Sequence, residues 1–207
     1  TQIKKLEVTV ELEKEATLDA IKEYNPEVVF VATGASHVIP EIDGTKDGIE
    51  KGKVLTAVDV LLGKGEVGKA VVVIGGGLIG CETALYLAKQ GKTVTVLEML
   101  DTVASDMVWG NALDLVKLLD DHKVTIQTEA DTKRIMENGV EFTDRSGGRK
   151  TLEADTVVIA IGLKVADEAF VETLEDNLPE VHVIGDCVKP RKILSAIWEG
   201  YRRARLI

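Results

Sequence analysis

"VVVIGGGLIGCETALYLAKQGKTVTVLE", Val71 to Glu98, decides the reading of this chain. An apolar strand runs into three glycines, then a helix rich in Ala and Leu, then a second apolar strand that ends on an acid. Gly75, Gly77 and Gly80 stand at the spacing GxGxxG. In a turn of this kind the first glycine permits the sharp bend and the second lets the backbone approach a pyrophosphate. The third lets the helix pack close to the strand. With Gly76, Leu78 and Ile79 completing the turn, the helix start offers free N–H groups and the positive end of its dipole to phosphate. A turn that merely needs positive φ explains one glycine, but not three at these offsets between strand and helix.

Glu98 closes the next strand at the position where an acid accepts hydrogen bonds from adenosine ribose hydroxyls. A 2′-phosphate would meet its negative charge, and Met99, Leu100 and Asp101 bring no Lys or Arg to neutralise it. The stretch therefore predicts NADH in preference to NADPH.

Working outward, short Val- and Ile-rich runs recur at 28–33, 70–75, 93–98, 123–128, 156–162 and 181–186. Such runs suit strands of a buried parallel sheet. Helical patterns alternate with them: Leu78, Ala84, Leu85, Leu87 and Ala88 share one face before Gly91, and Leu113, Val116, Leu118 and Leu119 repeat the pattern. This alternation predicts an α/β fold with a Rossmann-like parallel sheet. Residues 131–155 break it, with turns at "ENG" and "RSGGRK", and predict a small antiparallel meander. Residues 36–55 read as a connector where the chain crosses between domains, followed by a short helix in "TAVDVLLG".

The 207 residues carry a net charge of -10, which argues against a nucleic-acid partner. Arg202, Arg203 and Arg205 read as solvated positions on a last helix. There is no leader and no apolar run long enough for a bilayer, so the expected location is the cytoplasm and no membrane partner is expected. Cys81 and Cys187 are far apart and form no redox motif; Cys81 reads as a small packing residue on the first helical turn. His37, His122 and His182 are not spaced as metal ligands, so no metal site is expected. His122 is placed at a helix end, His182 on a strand, and Trp198 in the core.

"GGGLIGCETA" matches GGGxIGxExA and resembles the NAD-binding domain of the two-dinucleotide-domain flavoproteins, the pyridine nucleotide-disulfide oxidoreductase superfamily. "VVFVATGA" (28–35) resembles the segment that closes the first part of that superfamily's FAD domain, and "VHVIGDCVKP" (181–190) resembles its late GD motif. The resemblance implies an NAD domain inserted within an FAD domain, and so explains a fingerprint in mid-chain. The expected division is a first part of an incomplete FAD-binding domain with the crossover at 1–65, an NAD(H)-binding domain at 66–164, and the last FAD part at 165–207. "VLTAVDVLLGK" and "GDCVKPRKILSAIWEGYRRAR" are most similar to the NADH:flavin oxidoreductases that include 2-enoate reductase and 2,4-dienoyl-CoA reductase.

That resemblance implies electron flow from NADH to FAD, then through an iron–sulfur cluster to FMN and a substrate double bond. It also implies a flavin-bearing barrel, of about 250 residues, for which the chain has no room. A first GxGxxG for FAD and a cysteine cluster are missing too, so the expectation is a piece that begins after the FAD fingerprint and has the barrel and fingerprint segments as partners. By resemblance Gly75, Gly77, Gly80 and Glu98 hold the pyrophosphate and ribose of NADH, with Glu82 near the nicotinamide and Gly162 lining the same cleft. Asp186 is assigned to the flavin ribityl chain, and Thr33 and Gly34 to the FAD adenylate. No side chain is assigned a catalytic acid or base role, because hydride transfer is cofactor chemistry. The alternative is a nucleotide-binding module without FAD and without turnover of its own.

Overall fold

The computed structural model describes residues 2–207, which divide into two units: residues through Ser36 together with Lys164–Ile207, and His37–Leu163. The chain forms α1 (Gln2–Lys5), α2 (Leu18–Glu23) and β1 (Val29–Val31), and crosses into the second unit along β2 (Ala35–His37). There it builds α3 (Thr45–Glu50), β3 (Val54–Thr56), α4 (Ala57–Leu61), β4 (Ala70–Ile74), α5 (Leu78–Lys89), β5 (Thr93–Leu97), α6 (Trp109–Asp121) and β6 (Thr125–Gln127). Strands β7 (Asp131–Met136), β8 (Gly139–Thr143), β9 (Arg149–Glu153) and β10 (Thr156–Ile159) complete that unit. The chain leaves along β11 (Leu163–Val165) and ends in α7 (Glu168–Asn177), β12 (Val181–Val183), a 3-10 turn at Gly185–Cys187, and α8 (Ile193–Ala204).

The His37–Leu163 unit is organised by a parallel sheet in the order β3-β10-β4-β5-β6. Its central strands are apolar on both faces because both faces are covered, as parallel strands require. Alternation decides which residue goes where. Val71, Val73, Val94, Val96 and Val158 pack against Cys81, Ala84 and Leu87 of α5 and Leu115 and Leu119 of α6. Val72, Ile74, Leu97, Val157 and Ile159 face the other way, onto Ile135, Val140 and Phe142 of the antiparallel meander β7-β8-β9. From β4 the chain winds outward through β5 to β6, then returns by way of the meander to β10 on the other side of β4. The winding direction reverses between β4 and β10, which opens a crevice at their C-terminal ends.

The meander lies where the sequence places it, and its turns have local causes. The Asp144 carboxylate accepts from the N–H groups of Ser146 (2.9 Å) and Gly148 (3.0 Å), which rounds the "RSGGRK" turn. Lys53 Nζ donates to the carbonyls of Glu137 (2.6 Å) and Ala154 (2.7 Å), tying the approach to β3 onto the meander ends.

Several expectations are corrected. Residues 36–55 are more than a connector: they contain α3 and β3, and β3 pairs with β10 through Val54↔Val157 to form the edge of the sheet. The compact unit around this sheet runs from His37 to Leu163, and partners a hundred residues away bury Val54 to 2% exposure. On α6 the buried pair is Leu115 and Leu119, whereas Leu113 and Leu118 face solvent. Trp198 is not a core residue but is 48% exposed. Its unit takes its core from Val31, Leu174 and Cys187 with residues of α2 and α7, and the indole packs edge-on against Tyr201 and beneath Arg202. Arg202, Arg203 and Arg205 are exposed on or beside the end of α8, and His122 follows the last turn of α6 with Nδ1 2.8 Å from the Leu118 carbonyl. Among the described residues no helix is long and apolar enough to cross a membrane.

Two predictions follow from the way β4 is seated. A Cβ at Gly80 would fall on the Gly75 carbonyl oxygen, so G80A should lower unfolding free energy by about 1–3 kcal/mol in urea titration. The Asp155 carboxylate accepts from the Lys69 (2.9 Å) and Ala70 (2.8 Å) N–H groups, and these bonds hold it below the usual carboxylate range. A carboxylate whose folded-state pKa is lowered stabilises the fold above its unfolded pKa, and that stability is lost as pH falls through the folded value. D155N should therefore melt at a lower temperature than the natural chain at pH 7, with the gap closing in acid; a gap independent of pH would exclude the charge as its source.

Candidate functional site

The crevice between β4 and β10 is a cleft of about 580 Å³, entirely within the His37–Leu163 unit. Its floor is the glycine turn, and each glycine there has a distinct physical reason. Gly75 has φ +104, and a Cβ on it would lie 2.5 Å from the Ala160 carbonyl oxygen at the exit of β10. Gly80 is buried where α5 crosses the turn. Gly76 is buried beneath Val103 and Glu98, either of which a Cβ would strike.

Gly77 differs from the others. A Cβ there would come no nearer than 3.8 Å to any other group, so its missing side chain serves no internal packing. It leaves an open cradle at the start of α5. Among the described residues the N–H groups of Ile79 and Gly80 have no hydrogen-bond acceptor, as expected for the first turn of a helix. An anion seated there would find both these donors and the positive end of the helix dipole. The cradle therefore fits a pyrophosphate.

Glu98 is the buried acid of the site, 8% exposed. One carboxylate oxygen accepts from the Gly76 N–H (2.6 Å) and the other from the Leu100 N–H (2.8 Å). These charge-assisted bonds hold the carboxylate in place without a cation, and each oxygen keeps lone-pair capacity for another donor. No lining residue is basic, whereas Glu98, Asp106 and Asp131 are all acidic. Asp131 is paired with Lys133.

Of the residues singled out from sequence, Gly75, Gly77, Leu78, Ile79, Glu98 and Gly162 line the cleft together. Gly162, with φ +109 and open space where a Cβ would stand, forms part of the rim after β10. Gly76 and Gly80 lie beneath the lining. Glu82 is exposed on α5 and is not among the lining residues. Thr33, Gly34 and Asp186 belong to the other unit. There β1 and β12 pair in parallel with Val31 opposite Val183, so Thr33–Gly34 and Gly185–Asp186 both leave the sheet at its C-terminal end. That is the end at which α/β sheets bind ligands. Gly34 has φ +83 and open space around it, and Asp186 Oδ1 accepts from the Arg191 N–H at 3.1 Å.

Cys81 packs in the core with its thiol on the Gly76 carbonyl (3.2 Å), and burial pushes its pKa up to about 11. Burial thus outweighs the helix N-terminus, which by itself would lower a thiol pKa, and Cys81 sits as the small packing residue that the sequence predicts. Sequence reasoning missed Asp106, whose carboxylate accepts from the Leu78 N–H at 2.9 Å, and Asp131 and Thr132 on the far wall. Neither group stands in a motif. The available signal is topological: the loops after β5 and β6 end at the same edge of the sheet as the glycine turn.

The family pattern of the pyridine nucleotide-disulphide oxidoreductases matches residues 1–200. Among relatives, the NADH oxidase of Thermoanaerobacter brockii is 38% identical over 199 residues, 94% of this chain and 30% of that protein. The cinnamate reductase of Clostridium sporogenes is 34% identical over 99% of this chain and 30% of its own length. A solved structure of 2-naphthoyl-CoA reductase with 2-naphthoyl-CoA superposes with a TM-score of 0.90 at 39% identity, covering 97% of this chain and 30% of that one. The chain thus spans about a third of the length of these relatives.

The two bonds made by Glu98 give a measurable expectation. In E98Q one of the two N–H groups faces an amide NH2 instead of an acceptor, and the turn should lose about 1–3 kcal/mol in urea unfolding. An unchanged midpoint would show that these bonds do not hold the turn.

Proposed function

The chain belongs to the pyridine nucleotide-disulphide oxidoreductase family, and from that membership we propose that it is the NADH-binding part of a flavin-dependent oxidoreductase acting on enoate- or enoyl-type acceptors. In this reading the His37–Leu163 unit is the NADH-binding insertion, and the two segments of the other unit are parts of an FAD-binding domain. When bound, NADH supplies a hydride and FAD accepts it.

The residues of this chain bind and orient. The start of α5, with its free N–H groups and the positive end of its dipole, would hold the pyrophosphate. Glu98 accepts from the adenosine ribose hydroxyls with the lone pairs that the Gly76 and Leu100 N–H groups leave free. Thr33, Gly34 and Asp186, at one end of the β1-β12 pair, contribute to the FAD site. Gly162 lines the cleft that would take the dinucleotide, whereas Glu82, assigned near the nicotinamide by resemblance, lies outside that lining and carries no role in this reading. No acid or base is needed, since the chain's part in hydride transfer is positioning.

The observation that carries this reading is the buried Glu98 carboxylate beside the glycine turn at the start of α5, in a cleft whose lining holds no basic residue. The acceptor class is supported by relatives named as reductases of cinnamate and of 2-naphthoyl-CoA. An iron–sulfur cluster would belong to other parts of such an enzyme, because the two cysteines of this chain are too few to ligate one, and FMN is assigned there with it by family resemblance alone. Free thiols suit a reducing compartment, and we place the protein in the cytoplasm.

Calorimetric titration of the 207-residue chain with NADH and with NADPH tests the site. NADH should bind at least about tenfold more tightly, a difference of roughly 1.4 kcal/mol. Equal affinity, a preference for NADPH, or no binding of either would overturn the assignment.

A further inference from the structure

The first N–H of α5, on Leu78, is not free. The Asp106 side chain, carried by the loop between β5 and α6, accepts from it at 2.9 Å. Both carboxylate oxygens lie 3.8 Å from the point where a Cβ of Gly77 would stand, so the carboxylate hangs over the cradle. It is not there through slack in the chain. Two residues earlier Ala104, buried to 1% and held at φ +53, donates its N–H to the Gly76 carbonyl at 2.7 Å. The Met107 N–H then closes a turn on the Ala104 carbonyl at 3.0 Å, with Asp106 at its tip. The loop is anchored on the glycine turn, and the anchor aims an acid at the place a phosphate needs.

Two anions now compete for one helix start. The pyrophosphate of a dinucleotide carries negative charge and seeks the same N–H group and the same dipole. We propose that Asp106 is a built-in competitor for the phosphate cradle: NADH binds by exchange, with pyrophosphate displacing the carboxylate from the Leu78 N–H, so that the aspartate sets a ceiling on dinucleotide affinity. The inference rests on the NADH-binding reading above and deepens it. Asp106 is exposed, so its repulsion is screened by solvent and salt and should be worth a modest factor in affinity.

The variant D106N separates charge from capping, because an Asn side chain keeps an oxygen to accept from the Leu78 N–H while losing the charge. D101N is the control: it removes the same charge from the same loop at an exposed residue that does not line the cleft. The natural chain and both variants are titrated at low ionic strength with NADH, ADP-ribose and adenosine. D106N should bind NADH and ADP-ribose more tightly by the same factor, about three- to tenfold, and the factor should shrink toward one near 1 M salt. Adenosine, which has no phosphate, should bind both proteins alike, and D101N should match the natural chain.

Unchanged or weaker binding of ADP-ribose by D106N, with the natural chain binding normally, overturns the inference and leaves the NADH reading intact. A factor that persists at high salt, or that D101N reproduces, also overturns it. If neither the natural chain nor D106N binds any dinucleotide, the NADH reading fails and the inference falls with it.

Discussion

Residue 98 is the point at which the walls of the cleft are tied together. Its backbone N–H donates to the Gln127 carbonyl and its carbonyl accepts from the Ala130 N–H, both at 2.9 Å. Its carboxylate takes the Gly76 and Leu100 N–H groups. One buried residue thus joins the turn after β4, the loop after β5 and the chain between β6 and β7. A buried carboxylate is tolerable only when hydrogen-bonded, and these donors satisfy it while fixing the geometry of the turn. Gly76 answers from the other side, its carbonyl accepting from the Ala104 N–H at 2.7 Å. The glycine turn is therefore held by its neighbours on both sides and does not rely on its own stiffness.

This arrangement links stability and recognition through the same atoms. The sheet beneath is closed by valines that alternate between a helix-facing and a meander-facing core, and that packing fixes where Ile74 and Leu97 end. The turn and the acid begin at the next residue of each strand. Displacing either strand would move the acid relative to the cradle, so the core supports the site directly.

The parts legible in sequence are those whose causes are local. Apolar runs at β4, β5 and β10 announce buried parallel strands, and the GxGxxG spacing announces the turn and the helix behind it. The meander is announced by Gly139 and by the Ser-Gly-Gly turn. What stays hidden depends on distant partners. Three residues of β3 look like linker until β10 arrives to pair with them. The contiguous leucines of α6 offer two overlapping stripes, and only contact with the core selects Leu115 and Leu119. Trp198 reads as core by its chemistry, yet its unit closes its core with smaller residues. Asp106 belongs to no pattern, and it matters because a loop anchored at Ala104 brings it over Gly77. The residues fixing the turn could be read; the aspartate that caps its helix could not.

The charge pattern also constrains how selectivity arises. In a site where recognition depends on filling unsatisfied buried groups, a ligand lacking the matching hydroxyl is penalised by the polar atoms it leaves unpaired. Glu98 is not in that position, because two N–H groups already satisfy it. A nucleotide without ribose donors would forfeit a bond but would leave nothing stranded. A nucleotide with a 2′-phosphate, by contrast, would bring a second anion against a fixed carboxylate, with no basic side chain in the lining to soften the encounter. If the cleft takes NADH as proposed, its discrimination is exercised by exclusion. Exclusion does not require tight binding, which would suit a cosubstrate that leaves after each transfer: uniform binding strength beyond what saturation needs contributes nothing to turnover.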